Sequence, residues 1–256
     1  MLQYLYMCKR GELVELFDIA GLKVAMECKD GMLYERSRAY LAKDQSEEPD
    51  FSVVLPDEIL QKKHEALPQL TLDECRYVYM GEGFYHKILN FDGMLLHASA
   101  IEKDGKAYLF SARSGTGKST HTHLWMKQFD GVRMINDDKP ALRYIDGTLC
   151  ACGTPFSGKN DESSNICVPV RAIVFVERAE ENEIECISAK DAIPLFISQT
   201  VRPAAEKYAV KSLEMLDRVL KEVPVFRLRC NMLPEAAICA YEGIENYFKE
   251  VDKNEN

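Results

Sequence analysis

No two cysteines in this chain are spaced as Cys-x-x-Cys, although nine occur among its 256 residues. A structural zinc site therefore lacks the ligand spacing it needs, and a disulfide framework is equally absent. No apolar run approaches the roughly 20 residues of a membrane-spanning helix, and the N-terminus does not read as a secretory leader. With the odd cysteine count, these absences lead to the expectation of a reducing cytoplasm and no membrane partner. Basic residues are outnumbered, 32 Lys and Arg against 41 Asp and Glu, for a net charge of −9. That balance argues against nucleic acid as the main partner. What is present, 46% hydrophobic and 29% charged residues, describes a soluble globular chain. Its length suits one large domain or a catalytic domain with a smaller region attached. The one close cysteine pair, Cys150-Ala-Cys152, has both side chains on one face if it lies on a strand.

One stretch organises the rest: Ser111-Ala-Arg-Ser-Gly-Thr-Gly-Lys-Ser-Thr120. Residues 107–110 before it read as a short buried strand, and residues 120–129 after it as a helix. A strand, a Gly-rich turn closing on Lys-Ser, and a helix form the context of a P-loop. Gly115 and Gly117 lack a Cβ, so the backbone can curl and aim its N–H groups inward. The helix adds unpaired N–H groups and the positive end of its dipole, which favours a polyphosphate. Lys118 is expected to reach the β- and γ-phosphates and the Ser119 hydroxyl to ligate Mg²⁺. Arg113, Ser114, Thr116 and Thr120 complete the expected nucleotide-binding turn. Ala112 stands where the pattern opens with Gly, a small residue the turn accepts if its φ stays negative.

Residues 1–90 are expected to form an N-terminal α+β region without recognisable chemistry. Strands are predicted over 2–7, 13–17, 22–28, 32–35, 51–55, 77–80 and 84–89. Asp30-Gly31 signals a hairpin, and a helix opens at Pro56. His64 and His86 are expected to be structural. Residues 91–256 are expected to form the nucleotide-binding domain. Residues 93–102 read as a strand carrying His97, joined through Asp104-Gly105 to the strand entering the P-loop. That hairpin gives the P-loop strand an antiparallel neighbour, so the sheet is expected to be mixed. Residues 132–136 form the next strand, with Asp137-Asp138 at its C-terminal end, expected to neighbour the P-loop strand. Paired carboxylates at such a strand end can divide labour, one holding Mg²⁺ and the other taking a proton from an attacking hydroxyl. A hairpin over 141–152 leads into a long polar loop with Lys159 at its centre, able to reach a phosphate. Residues 171–177 read as a central strand, and the acidic run 177–185 as a solvated turn. Helices are predicted over 188–200, 203–223 and 235–249. The strand between the last two carries Arg227 and Arg229 on a salt-bridged face.

Taken together, His97-Ala-Ser, Lys103-Asp-Gly, Tyr108-Leu-Phe, Ser114-Gly-Thr-Gly-Lys-Ser119 and Ile135-Asn-Asp-Asp138 resemble the catalytic domain of HPr kinase/phosphorylase. The P-loop also resembles that of phosphoenolpyruvate carboxykinases. The resemblance covers roughly residues 94–160. It implies an α/β fold with a mixed β-sheet P-loop core of the HPr kinase/PEP carboxykinase type, binding of ATP with Mg²⁺, and phosphoryl transfer. It also implies that Lys118 binds phosphate, that Ser119 ligates Mg²⁺, and that Asp137 and Asp138 handle metal and substrate proton with His97 beside them. The downstream Glu-x-Arg-Gly signature of the HPr kinases has no counterpart in the stretch 150–159. The function this reading implies is an ATP- and Mg²⁺-dependent kinase whose acceptor is a protein serine or a small hydroxyl compound. Its alternatives are a nucleotide-binding sensor or partner without turnover, or a carboxykinase-like lyase. A homo-oligomer is compatible with the family.

Overall fold

Alternating burial along the strands of one large sheet decides the layering of this protein, here described from a computed structural model covering residues 14–28, 30–203 and 205–254. The N-terminal part opens with β1 (Val14–Ile19) and β2 (Leu22–Glu27), an antiparallel pair, with β3 (Phe51–Val53) parallel to β2. Helices α1 (Gly31–Ser37), α2 (Asp57–Ala66) and α3 (Leu72–Ile88) pack around them. The second sheet has nine strands: β4 (Gly93–Leu95), β5 (Ala98–Lys103), β6 (Lys106–Ser111), β7 (Arg133–Asn136), β8 (Ala141–Ile145), β9 (Thr148–Cys152), β10 (Cys167–Arg178), β11 (Glu183–Cys186) and β12 (Val225–Cys230). Its order is β4-β8-β9-β10-β6-β5-β7, with β12 added on β10 and β11 on β12. The remaining helices are α4 (Lys118–Gln128), α5 (Ala189–Gln199), α6 (Glu206–Glu222) and α7 (Glu235–Asn254).

Strand β6 pairs parallel with β10 and antiparallel with β5, so the sheet is mixed. Successive side chains point to opposite faces. Ala107 and Leu109 join Ile173 and Phe175 under α5 and α6. Tyr108 and Phe110 join Val174, Phe226 and Leu228 under α4 and α7, where Trp125 is fully buried. A third core gathers the N-terminal helices with Phe156, Cys150 and Cys152. Cys150 and Cys152 do share a face of β9. Cys152 is also disulfide-bonded to Cys167 directly across on β10, a pairing that the scattered cysteine spacing did not suggest.

Several elements differ from expectation. Residues 77–80 and 84–88 are not strands but part of α3, whose buried Tyr77, Met80, Gly81, Phe84, Tyr85 and Ile88 recur at helical spacing, and Leu89 opens the 3-10 turn that follows. The sequence signal was Thr71-x-x-Glu74, a capping box in which each residue bonds the other's backbone N–H. Likewise residues 32–35 lie in α1, and Asp30-Gly31 opens that helix instead of turning a hairpin. The strand expected over 93–102 breaks at His97 into β4 and β5, which pair with different neighbours. Strand β7 pairs with β5, so β5 separates it from β6. Because β5 is antiparallel to both, β6 and β7 still run the same way and end at the same edge. The acidic run continues into the edge strand β11, whose glutamates pair with Arg227 and Arg229. The strand expected over 2–7 lies outside the described residues.

Candidate functional site

Helix α4 begins without a side-chain cap. Thr71 caps α3 and Ser188 caps α5, whereas the residue before α4 is Gly117, at φ 122° and ψ 20° with no cap bond. That conformation suits glycine, and a Cβ there would stand 2.6 Å from Met232 Cε. The first-turn N–H groups therefore face outward with the positive end of the dipole. Lys118 folds back so that Nζ donates to the Ala112 carbonyl at 3.0 Å. Burial pulls its pKa down, opposed by the charges of Asp138 and Asp137. Ala112 keeps a negative φ. From the end of β10, Arg178 donates to the carbonyls of Gly115 and Thr116 and holds the turn.

The two aspartates follow β7 and sit on different supports. The Asp137 carboxylate accepts from Ser99 Oγ at 2.6 Å. Ser99 Oγ in turn accepts from Thr122 Oγ1 at 2.8 Å, tying Asp137 to the second turn of α4. Asp138 Oδ1 lies 3.1 Å from His97 Nε2, and its other oxygen lies 3.3 Å from Lys139 Nζ. Burial pushes the Asp138 carboxyl up, but the His97 hydrogen bond and the Lys139 charge outweigh it and hold the pKa below the ordinary value. Buried Asn136 braces the turn, its Oδ1 accepting from the N–H groups of Asp138 (2.9 Å) and Lys139 (2.7 Å).

The orientation of His97 follows from its neighbours. Ser198 Oγ donates to the Leu195 carbonyl at 2.7 Å, so it accepts from Gln199 Nε2 at 3.1 Å. That turns Gln199 Oε1 toward His97 Nδ1 at 2.9 Å, and an acceptor there requires the proton on Nδ1. The other ring nitrogen, Nε2, faces the Asp138 carboxylate. The break between β4 and β5 makes room for this contact. There the His97 N–H donates to the Gln199 carbonyl at 2.8 Å and its carbonyl accepts from Ser111 Oγ at 2.8 Å.

The loop between β9 and β10 forms the opposite wall. Gly158 has φ 75°, and a Cβ there would meet Asp138 Cβ at 2.8 Å. The Glu162 carbonyl accepts from the Asp137 N–H at 3.0 Å. The N-terminal helices hold this loop from behind. Arg36 of α1 donates to Tyr77 Oη at 2.8 Å and to the Gly158 carbonyl. Tyr85 bonds Thr154 Oγ1 at 2.9 Å and the Lys139 carbonyl.

A cleft of about 860 Å³ collects Ser114, Gly115, Gly117, Lys118, Ser119, Thr120, His97, Asp137, Asp138 and Lys159. Arg113 and Thr116 instead line a neighbouring cavity of about 730 Å³ beside α5. Residues that the sequence reading missed are Ser99, Thr122, Lys139, Arg178, Gln199 and the Arg36–Tyr77 pair. Of these only Arg178 carried a sequence signal, its place at the end of a central strand.

The family described as SynChlorMet cassette protein ScmC matches residues 66–249. This chain belongs to that family. The match runs from the end of α2 into α7 and includes the whole cleft-bearing sheet. No curated protein matches the chain. Among solved structures, the Hpr(Ser) kinase/phosphatase from Coxiella burnetii is similar at 12% identity and a TM-score of 0.37, over 62% of this chain and 98% of that one. At that score the likeness carries no inference about activity. Among the described residues no helix is long and apolar enough to cross a membrane.

Proposed function

We propose that this chain is an ATP- and Mg²⁺-dependent phosphotransferase acting on a hydroxyl of a protein serine or a small molecule. The observation that carries the reading is the sharing of one cleft by the uncapped start of α4 with Lys118 and by the Asp137–Asp138 pair with His97. On this reading residues 91–256 are the nucleotide-binding domain, and the N-terminal region backs the acceptor side of the cleft.

The residues fit the ligands. The N–H groups of residues 114, 115 and 117–119, with the Lys118 ammonium, suit a polyphosphate, the Thr116 N–H being held by the Arg113 carbonyl. Ser119 and Asp137 offer oxygen ligands to Mg²⁺. Among the described residues no three His, Cys, Asp or Glu side chains gather as a metal cage, and Mg²⁺ held by one or two carboxylates plus phosphate oxygens needs none. When bound, Mg-ATP supplies the phosphoryl group and neutralises charge on its oxygens. Asp138, kept ionised, takes the acceptor's hydroxyl proton, and His97, fixed by Gln199, positions its carboxylate. Lys118 and Lys159 supply positive charge where negative charge builds on the oxygens of the transferred group. Positioning and charge stabilisation are most of what phosphoryl transfer asks of a protein.

The test is thermal stability against a nucleotide panel with and without Mg²⁺, on wild type and Lys118→Ala. Ligand at about 100 times Kd adds roughly 2.7 kcal/mol to stability. A Mg²⁺-dependent ATP shift that the variant loses supports the site, and no shift with any nucleotide removes it. Lys118→Ala is then expected to cut acceptor-dependent ADP release by at least about 10²-fold. Tight binding without any ADP release would favour the nucleotide-binding partner over the kinase.

A further inference from the structure

The cleft has an end that phosphate binding and proton transfer do not use. Strands β6, β7, β10 and β12 run the same way, so their C-terminal ends share one edge of the sheet. Along that edge the order is β7, β5, β6, β10, β12. Asp137 and Asp138 follow β7, the Gly-rich turn follows β6, Arg178 ends β10, and Met232 follows β12. A phosphate chain lying on the turn with its reactive end at Asp138 therefore has its other end directed toward β10 and β12.

Met232 and Leu233 stand there. They are large apolar residues left 40% and 58% exposed. The turn carrying them is held by Asn231. Its N–H donates to Asn182 Oδ1 (3.0 Å), its Nδ2 donates to the Glu180 carbonyl (2.9 Å), and its Oδ1 accepts from the Leu233 N–H (3.1 Å). The turn is thus built without help from the two apolar side chains. Met232 lies against Gly117 and lines the same cleft as Lys118, Ser119 and Thr120. The neighbouring cavity, with Pro194 and Leu195, contains none of those three residues.

We infer that Met232, with Leu233 beside it, is the surface on which the base of a nucleoside triphosphate stacks. A thioether is polarisable and lies favourably on a flat aromatic ring. A fixed ledge of exposed apolar side chains next to a phosphate-binding turn matches a ligand that is anionic at one end and flat and aromatic at the other. This rests on the phosphate-site reading, and the two can fail separately.

The test is calorimetric titration with Mg-ATP and with inorganic triphosphate, which has the same phosphates and no base. The proteins are wild type, Lys118→Ala, Met232→Ala/Leu233→Ala and Leu195→Ala. The double variant is expected to lose about tenfold in Mg-ATP affinity and to bind inorganic triphosphate like wild type, which also shows that it folds. Leu195→Ala is expected to match wild type with both ligands. Unchanged Mg-ATP binding in the double variant overturns the inference, as does an equal loss for both ligands. A loss confined to Mg-ATP in Leu195→Ala would move the base to the neighbouring cavity and also overturn it. Wild type that binds neither ligand would remove the phosphate site itself.

Discussion

Replacing Asn136 by alanine isolates what holds the aspartate turn. Asn136 is fully buried at the end of β7. Its Oδ1 accepts from two successive backbone N–H groups, those of Asp138 and Lys139, and its Nδ2 donates to the Thr154 carbonyl at 2.9 Å. Alanine leaves two donors and one acceptor without that partner. Each buried polar group left unpaired costs about 1–3 kcal/mol. The turn is only partly buried, so water recovers some of this, and we expect a net loss of about 3 kcal/mol. At roughly 2–4 °C per kcal/mol for a chain of this size, the melting temperature should fall by about 6–12 °C. Asn136→Asp keeps the acceptor and loses only the donor to Thr154, so it should cost less than alanine despite its added charge near Asp138. The assay is urea unfolding of the three proteins with a common slope. A loss below about 1 kcal/mol for alanine, or a larger loss for aspartate, would refute the view that the Oδ1 contacts carry the turn.

Three further outcomes are expected. His121 is buried and neutral, its Nε2 accepting from Trp125 Nε1 at 3.1 Å, and burial lowers its pKa from 6.5 to about 4. Between those values the unfolded chain binds a proton that the folded chain does not. Stability is therefore complete above pH 6.5 and falls by about 2 kcal/mol by pH 5; urea unfolding of His121→Gln should lack this slope, and equal slopes would sink the assignment. Gly81 of α3 faces Phe156, and an added Cβ would lie 2.9 Å from its ring, so Gly81→Ala should destabilise by about 1–3 kcal/mol through overpacking, measured by thermal unfolding. The Cys152–Cys167 bond closes a loop with a sequence separation of 15, and Cys167→Ser should lower stability by about 3 kcal/mol in non-reducing buffer and by almost nothing in dithiothreitol.

Legibility in the sequence followed the range of the interactions. The hairpin of β5 and β6, the turn that follows β6, the start of α4 and the aspartates ending β7 all lie within residues 98–138, and short-range rules act there. Asp104-Gly105 turns a hairpin, Gly117 adopts a φ that other residues avoid, and strand alternation separates Leu109 from Phe110. The α3 error had a local cause as well. Its aromatic residues carry strand propensity, and the capping box at Thr71 was the stronger signal.

Tertiary structure decided what those pieces do to one another. Gln199 fixes His97 from 102 positions away, and Arg178 holds the Gly-rich turn from 62. The contact of Arg36 with Gly158 spans 122. No propensity or period records such pairs, because they exist only after the sheet order is set and distant cores have closed. The sequence by itself determined a mixed sheet and a glycine-rich turn that leaves a helix start uncapped, since both follow from backbone freedom and adjacent pairing. Only the packed fold brought that helix start, the two aspartates and His97 into one cleft, because burial of side chains far apart along the chain fixed where the strand ends lie.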